Sequence, residues 1–217
     1  MFGTATIRGA GSPDLSLSLP LSTTTLCGED AIAQVNAWAS YGAAEPSVVN
    51  GLRHALAMRT SPASNSTGIT SVTPLSVILE SHVFVLLGGT SELGPLRALL
   101  KMGATVVCVA RKGKKLAATV EWASAVGAGT LIVPVPVNSP QNGADAPDPV
   151  TVGNEGGADV IEEMPRIARW VQGLFPNRTL VVGCYIYVDG EAHVRATMAM
   201  DTIVSWLVEK RLGTKVA

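Results

Sequence analysis

The chain has 217 residues, a formal net charge of -1, 47% apolar residues and 15% charged residues. This length and apolar content suffice for one core with a small appendage and predict either a well-buried protein or a self-associating one, such as a homo-oligomer. The near-neutral charge argues against nucleic acid as the main partner, and no segment is long and uniform enough to cross a bilayer.

The first third of the chain predicts a hairpin followed by two helices and a linker. Phe2–Arg8 and Leu15–Leu21 alternate apolar and polar residues around glycines, which is typical of a hairpin with one solvent-exposed face. Glu29–Tyr41 and Ser47–Arg59 show helical periodicity. Thr60–Thr70 is polar and lacks periodicity, which indicates a linker. The expected domains are a hairpin with a helical appendage, residues 1–70, and a second domain, residues 71–217.

A strand, a glycine turn, a helix and a second strand are predicted between His82 and Lys115. Val83–Leu87 and Thr105–Val109 are continuous apolar runs, typical of strands covered on both faces. The turn Gly88–Gly94 lies between the first strand and the helix, where its backbone amides can approach a phosphate near the positive helix end. The residues expected on the apolar face of that helix are Leu93, Leu96, Leu99 and Leu100.

The segment Leu87–Gly94 resembles the T-G-x-x-x-G-x-G fingerprint of the short-chain dehydrogenase/reductase family. Gly88 and Gly94 match its first and last glycines, whereas Glu92 stands at the middle one. The resemblance extends over residues 83–217 and implies an α/β fold with a doubly wound, mainly parallel sheet of Rossmann type, incomplete in this chain. It also implies that a pyrophosphate is received by Gly88, Gly89, Thr90, Ser91 and Gly94.

The second strand ends in a run of cations. Many NAD-binding folds carry an acid there that bonds the adenosine ribose, but this chain has Ala110 at that position. The cations that follow are Arg111, Lys112, Lys114 and Lys115. Such a group suits a 2′-phosphate, which favours NADP over NAD, with Arg111 and Lys112 as its ligands. The alternative is a solvated basic loop.

The next elements are a helix, a third strand and a long connection. Lys114–Ala125 predicts the helix and Thr130–Val137 the strand. Pro134 and Pro136 cannot donate ladder hydrogen bonds, which predicts an edge strand, as the third strand of a 3-2-1-4 sheet is. Ser139–Gly157 is rich in Pro, Gly, Asn and Asp and is long for a connection, which indicates a mobile or functional loop.

The last part of the chain predicts two helices and two strands. Asp159 is expected to cap a helix that bends at Pro165 and continues to Leu174. The remaining predicted elements are a fourth strand at Thr179–Val188, a helix at Glu191–Arg211 and the start of a fifth strand at Gly213–Ala217. The chain stops there, which indicates either a fragment or a protein that has lost the second half of the fold.

The resemblance implies a Tyr-x-x-x-Lys pair, yet neither Tyr185 nor Tyr187 has a lysine four residues later. The catalytic candidates that remain are Tyr185, Tyr187 and His193, which follow the fourth strand and could exchange protons with a substrate. At strand spacing Tyr185, Tyr187 and Asp189 share a face. Two alternatives stay open: Asp189, Glu191 and His193 hold a metal, or a turn at Asp189 leaves His193 on the helix surface.

Cys27, Cys108 and Cys184 are odd in number and widely spaced, and the chain begins without a signal-peptide pattern, so we expect a cytoplasmic protein. The first functional hypothesis is a divergent NADP(H)-dependent oxidoreductase of short-chain dehydrogenase type, or its cofactor-binding portion, acting on a small-molecule substrate. The second is a non-catalytic nucleotide-binding or scaffold protein that kept the sheet and lost the active site. In a third, the glycine turn is structural and no nucleotide binds.

Overall fold

The computed structural model describes residues 1–60 and 73–217. The described residues form two compact units, one made of Met1–Asp14 with Glu80–Ala217 and the other of Leu15–Leu79. The predicted linker falls almost entirely on residues 61–72, outside the described residues, and the predicted domain boundary at residue 70 lies there as well.

The strands and helices of the described residues are numbered along the chain. The strands are β1 Gly3–Arg8, β2 Ser18–Pro20, β3 Thr25–Cys27, β4 His82–Leu87, β5 Thr105–Val109, β6 Thr130–Val135, β7 Thr179–Cys184 and β8 Lys215–Val216. The helices are α1 Gly28–Ser40, α2 Pro46–Thr60, α3 Leu75–Ser81, α4 Leu96–Lys101, α5 Lys114–Val126, α6 Pro149–Glu155, α7 Met164–Gly173 and α8 Glu191–Lys210.

The fold of the larger unit is α/β, with a six-stranded sheet in the order β1-β6-β5-β4-β7-β8. All neighbouring strands are parallel except β1, which runs antiparallel to β6. Counting β4 as the first strand, the order β6-β5-β4-β7 is the predicted 3-2-1-4 arrangement. The mostly parallel sheet confirms the predicted α/β class and is compatible with a Rossmann-like fold.

The sheet is buried because its central strands are apolar at nearly every position. Val83, Val85 and Leu87 of β4 are fully buried, and α7 and α8 cover them with Ile167, Val171, Ile203 and Leu207. Burial of each such side chain stabilises the folded state by about 1.5–3 kcal/mol. The continuous apolar runs therefore predicted these strands correctly, and α8 and β8 also lie where the sequence indicated them.

The predicted N-terminal hairpin is wrong. β1 does not pair with the following segment but with β6, more than 120 residues later, where Ala5 lies opposite Val133. The chain then turns over the end of α5, and the amide of Gly9 donates to the carbonyl of Gly129 at 3.0 Å. The alternating pattern correctly predicted that β1 is a strand with one buried face. Its partner strand, however, is not the next one along the chain.

The two prolines of the third predicted strand do not mark an edge. β6 ends at Val135, and it lies inside the sheet between β5 and β1. Pro134 is tolerated because the β5–β6 pairing ends at Ile132. At residue 134 the ladder with β5 therefore requires no backbone N–H from β6. Thr4, opposite Pro134, uses its amide and carbonyl on Asn142 and Gly143, away from β6. The missing donor therefore costs the sheet no hydrogen bond.

The segment Ser139–Gly157, predicted to be a mobile or functional loop, is not a loop throughout, because it contains the helix α6. Asp148 begins this helix, and its carboxylate accepts hydrogen bonds from the amides of Val150 and Thr151. α6 packs closely on α5, since a methyl group at Gly153 would lie 2.8 Å from the Cα of Ala117. The loop-forming residues thus serve as caps and as a helix contact.

The helix α7 starts later than predicted and does not bend at its proline. It begins at Met164, and Pro165 lies in its first turn. Backbone N–H groups of the first turn have no acceptor within the helix, so the N–H that proline lacks is not needed there. Asp159 is not its cap; its carboxylate accepts from the amides of Ile161 and Glu162 in the preceding turn.

In the smaller unit α1 and α2 pack against each other, close to their predicted bounds. Ile32, Val35 and Val49 form its buried cluster. Val48 is exposed, whereas the neighbouring Val49 is buried, and Leu52 and Leu56 of the same helix pack against the cluster. β2 pairs with β3 in a short antiparallel ladder.

Candidate functional site

A cleft of about 970 Å³ opens at the carboxyl ends of β4, β5 and β7, within the larger unit. This is the edge at which open α/β sheets bind ligands. Four segments line it: residues 88–93 after β4, residues 109–115 after β5, residues 158–161 before α7, and residues 185–188 after β7 with Ala192.

One wall of the cleft is cationic. Its charged side chains are Arg111, Lys112, Lys114 and Lys115. All four residues are exposed, and none of them takes part in a salt bridge within the described part of the chain. The carboxylates on the cleft are Glu92 and Asp159, and that of Asp159 already accepts two backbone amides. The wall is therefore suited to an anionic group.

Most backbone amides of the glycine turn donate hydrogen bonds to acceptors within the protein. The amides of Gly88 and Gly89 donate to Val109, at 2.8 and 3.2 Å, and those of Ser91 and Gly94 donate to carbonyls within the turn. Leu93 donates to the hydroxyl of Ser91 at 3.4 Å. In the described residues, the amides of the turn that have no acceptor are those of Thr90 and Glu92.

The helix after the turn differs from its prediction. α4 begins at Leu96 and has six residues, so its amino end does not follow Gly88 directly. Leu93 precedes the helix and is 74% exposed, so it is not part of the apolar face, whereas Leu96, Leu99 and Leu100 are buried as predicted.

Gly88 is required by packing. Its φ of +88° is a conformation that side-chain-bearing residues rarely adopt. A methyl group there would lie 2.7 Å from Ile186 Cγ1, 2.8 Å from the Ile186 nitrogen and 2.9 Å from the Tyr185 carbonyl carbon. The amide of Tyr185 also donates to the carbonyl of Leu87 at 2.7 Å. The space beside Gly88 is thus filled by the segment that follows β7.

The predicted face of Tyr185, Tyr187 and Asp189 does not exist, because β7 ends at Cys184 and residues 185–189 are neither helix nor strand. The Tyr185 ring folds back over Gly183, whose added methyl group would lie 2.5 Å from the ring and 2.8 Å from its hydroxyl. Tyr185 and Tyr187 both line the cleft, and Tyr187 is 73% exposed.

His193 does not line the cleft. It is exposed in the first turn of α8, which begins after Gly190, as in the alternative that placed it on the helix surface. No group of three or more His, Cys, Asp or Glu in the described ranges could hold a metal ion, which contradicts the alternative of a site at Asp189, Glu191 and His193.

Some of the predicted cofactor residues line the cleft and others do not. Gly88, Thr90, Ser91, Arg111 and Lys112 line the cleft, whereas Gly89 and Gly94 do not. Gly89 faces the sheet instead, because a methyl group on it would lie 2.6 Å from the sulfur of Cys108. Burial raises the pKa of that thiol to about 12.

Asp159, Val160 and Ile161 line the cleft although the sequence pattern did not place them there. They are brought to it by a wedge between the ends of β5 and β6: Gly157 donates to Pro134, and Ala158 donates to Ala110, each at 2.8 Å. The signal was the glycine pair at residues 156–157, which marks a close backbone approach.

Comparison with known proteins finds no family model, curated protein or solved structure that matches this chain. In residues 1–60 and 73–217, no helix is both long enough and apolar enough to span a membrane.

Proposed function

We propose that the protein binds a phosphorylated nucleotide of the NADP(H) class in the cleft at the carboxyl edge of a Rossmann-like sheet. The observation that carries the proposal is the cationic wall Arg111–Lys115, which forms no salt bridge within the described residues. Cations in this position, after the second strand of such a sheet, suit a 2′-phosphate on the adenosine ribose. The resemblance to short-chain dehydrogenases supports the same ligand class.

The residues present fit the phosphorylated end of NADP(H). Arg111 and Lys112 would hold the 2′-phosphate, since a guanidinium and an ammonium form strong charge-assisted hydrogen bonds with phosphate oxygens. At the glycine turn only the amides of Thr90 and Glu92 would remain for a pyrophosphate. When bound, the cofactor would supply a hydride donor or acceptor.

Binding without turnover is the form of the proposal that the geometry supports best. A dehydrogenase of this type needs a tyrosine whose pKa is lowered by a nearby lysine. Tyr185 is packed over Gly183, and His193 lies outside the cleft. These observations favour the non-catalytic, nucleotide-binding alternative.

Oxidoreductase activity is the second candidate, and one observation favours it. Tyr187 is exposed on the wall of the same cleft, where its hydroxyl could exchange a proton with a small-molecule substrate. Turnover of NADPH with a carbonyl substrate that is lost in Tyr187→Phe would select this candidate.

Titration with NADPH tests the proposal. Energy transfer from tryptophan to the bound dihydronicotinamide would report binding, with NADH as the ligand that lacks the 2′-phosphate. The double variant Arg111→Ala/Lys112→Ala should bind NADPH at least about tenfold more weakly, because a hydrogen bond to a charged group contributes about 1.5–3 kcal/mol.

The matched control is Lys101→Ala/Arg169→Ala, which removes two exposed cations that do not line the cleft. It should bind NADPH as the unmodified protein does. Equal losses in both double variants would mean that net charge, and not the cationic wall, determines affinity. Absence of NADPH binding would refute the proposed function.

A further inference from the structure

We infer that the cleft recognises a nucleoside phosphomonoester, of the adenosine 2′-phosphate class, and that the Gly88–Gly94 turn does not hold a pyrophosphate. This inference rests on the proposed function and narrows its ligand. Of NADP(H), only the adenosine 2′-phosphate end is then recognised, and the remainder of the dinucleotide contributes little to affinity.

The first argument is the hydrogen bonding of the turn. A phosphate-binding turn needs several amides that point at the ligand. Gly88 and Gly94, which match the fingerprint, and the neighbouring Gly89 all donate to carbonyls of the protein. To bind a phosphate, Gly88 and Gly89 would first have to break their hydrogen bonds to Val109, which join the turn to the end of β5, and Gly94 would have to break its bond to Ser91.

The second argument is steric. Glycine serves a phosphate site because the absent side chain lets the ligand approach the backbone. At Gly88 that space holds the backbone of Tyr185 and Ile186 and the side chain of Ile186, all within 3 Å of an added methyl group. At Gly89 it holds the sulfur of Cys108. The glycines are therefore explained by contacts within the protein.

The third argument is electrostatic. Glu92 replaces the middle glycine of the fingerprint and lines the cleft from within the turn, where its carboxylate repels a pyrophosphate. The helix α4 has six residues and begins at Leu96, after the turn, so its positive amino end does not directly follow Gly88. The cations of the cleft belong to the other wall, Arg111–Lys115, so an anion is attracted to that wall.

Isothermal titration with adenosine 2′-monophosphate, NADP⁺ and NAD⁺ tests the inference. Adenosine 2′-monophosphate and NADP⁺ should bind with dissociation constants within about threefold of each other, and NAD⁺ should bind at least about tenfold more weakly than NADP⁺. An NADP⁺ affinity more than about tenfold above that of the monophosphate would overturn the inference while leaving the proposed function intact. NAD⁺ binding as tight as NADP⁺ would also overturn it.

Gly94→Ala supplies a second measurement. An added methyl group would lie 3.3 Å from the Ser91 carbonyl oxygen and 3.5 Å from the Tyr185 ring, so the variant should fold, which a melting curve checks. Because Gly94 does not line the cleft, NADP⁺ affinity should be unchanged. A loss of NADP⁺ affinity of about tenfold, with adenosine 2′-monophosphate unaffected, would place a pyrophosphate at the turn and contradict the inference. If none of the three nucleotides binds, the proposed function itself fails.

Discussion

Replacing Gly88 with alanine perturbs the contact between the end of β4 and the segment after β7. The substitution places a methyl group 2.7 Å from Ile186 Cγ1 and under 3 Å from two backbone atoms. The Ile186 side chain can rotate away, but the backbone atoms cannot yield without moving residues 185–186. Such a movement would break the 2.7 Å hydrogen bond from Tyr185 to Leu87.

Three contributions set the expected loss of stability. An alanine at φ +88° costs about 1–2 kcal/mol in backbone strain. The Tyr185–Leu87 hydrogen bond contributes about 1 kcal/mol, and overpacking costs about 1–3 kcal/mol. The free energy of unfolding should therefore fall by about 3–6 kcal/mol. For a chain of this size, the melting temperature should fall by at least about 6 °C.

The matched control is Gly103→Ala, in the same unit. Gly103 has φ +91°, but an added methyl group would meet only Pro13, at 3.4 Å, an ordinary contact. Chemical denaturation of both variants should give a loss of about 1–2 kcal/mol for Gly103→Ala and a clearly larger one for Gly88→Ala. Adding Ile186→Ala to Gly88→Ala should recover only part of the loss, because the backbone contacts remain. Equal losses in the two single variants would refute the argument that residues 185–186 fill the space beside Gly88.

Two further predictions concern ionisable groups. Iodoacetamide at about pH 8 should label Cys27, which is exposed, far faster than Cys108, because burial raises the pKa of Cys108 to about 12 and leaves almost no thiolate; mass spectrometry of the native protein checks this, and similar labelling of both thiols would contradict it. Hydrogen bonds from the Thr151 side chain and backbone hold the pKa of Asp148 below its usual 3.8. The ionised carboxylate therefore stabilises the folded chain above that value, and the contribution disappears as the pH falls through the lower folded-state pKa. Asp148→Asn should melt below the unmodified protein at neutral pH, with a difference that shrinks in acid; circular dichroism melts measure it, and a difference independent of pH would show that the charge of Asp148 does not act at the α6 cap.

Local sequence patterns determined the central elements of this fold. β4 and β5 are continuous apolar runs, and runs of that kind persist as strands only where both faces are covered. α8 was equally clear, since its buried residues Ala196, Met200, Ile203 and Leu207 recur at helical spacing. Such patterns act over a few residues, so they can be read without knowing what lies across the core.

Pairing between distant segments was not determined in this way. The alternating pattern of β1 specifies one buried face but does not identify the partner strand. β1 pairs with β6 and not with the segment that follows it in the sequence. The prolines of β6 were misleading for the same reason. Whether these prolines mark an edge strand depends on where the β5–β6 ladder ends and on which groups Gly157 and Thr4 contact.

The candidate site shows the same division. The sequence placed the glycine turn and the cations after two strands of a parallel sheet, and the strand ends bring them to one edge. Only the tertiary structure showed that residues 158–161 complete the cleft and that residues 185–186 occupy the space beside Gly88. A glycine is required wherever something must approach the backbone closely, and the chain itself can be what approaches. The residue type records the close contact, whereas the identity of the contacting atoms depends on how distant segments pack.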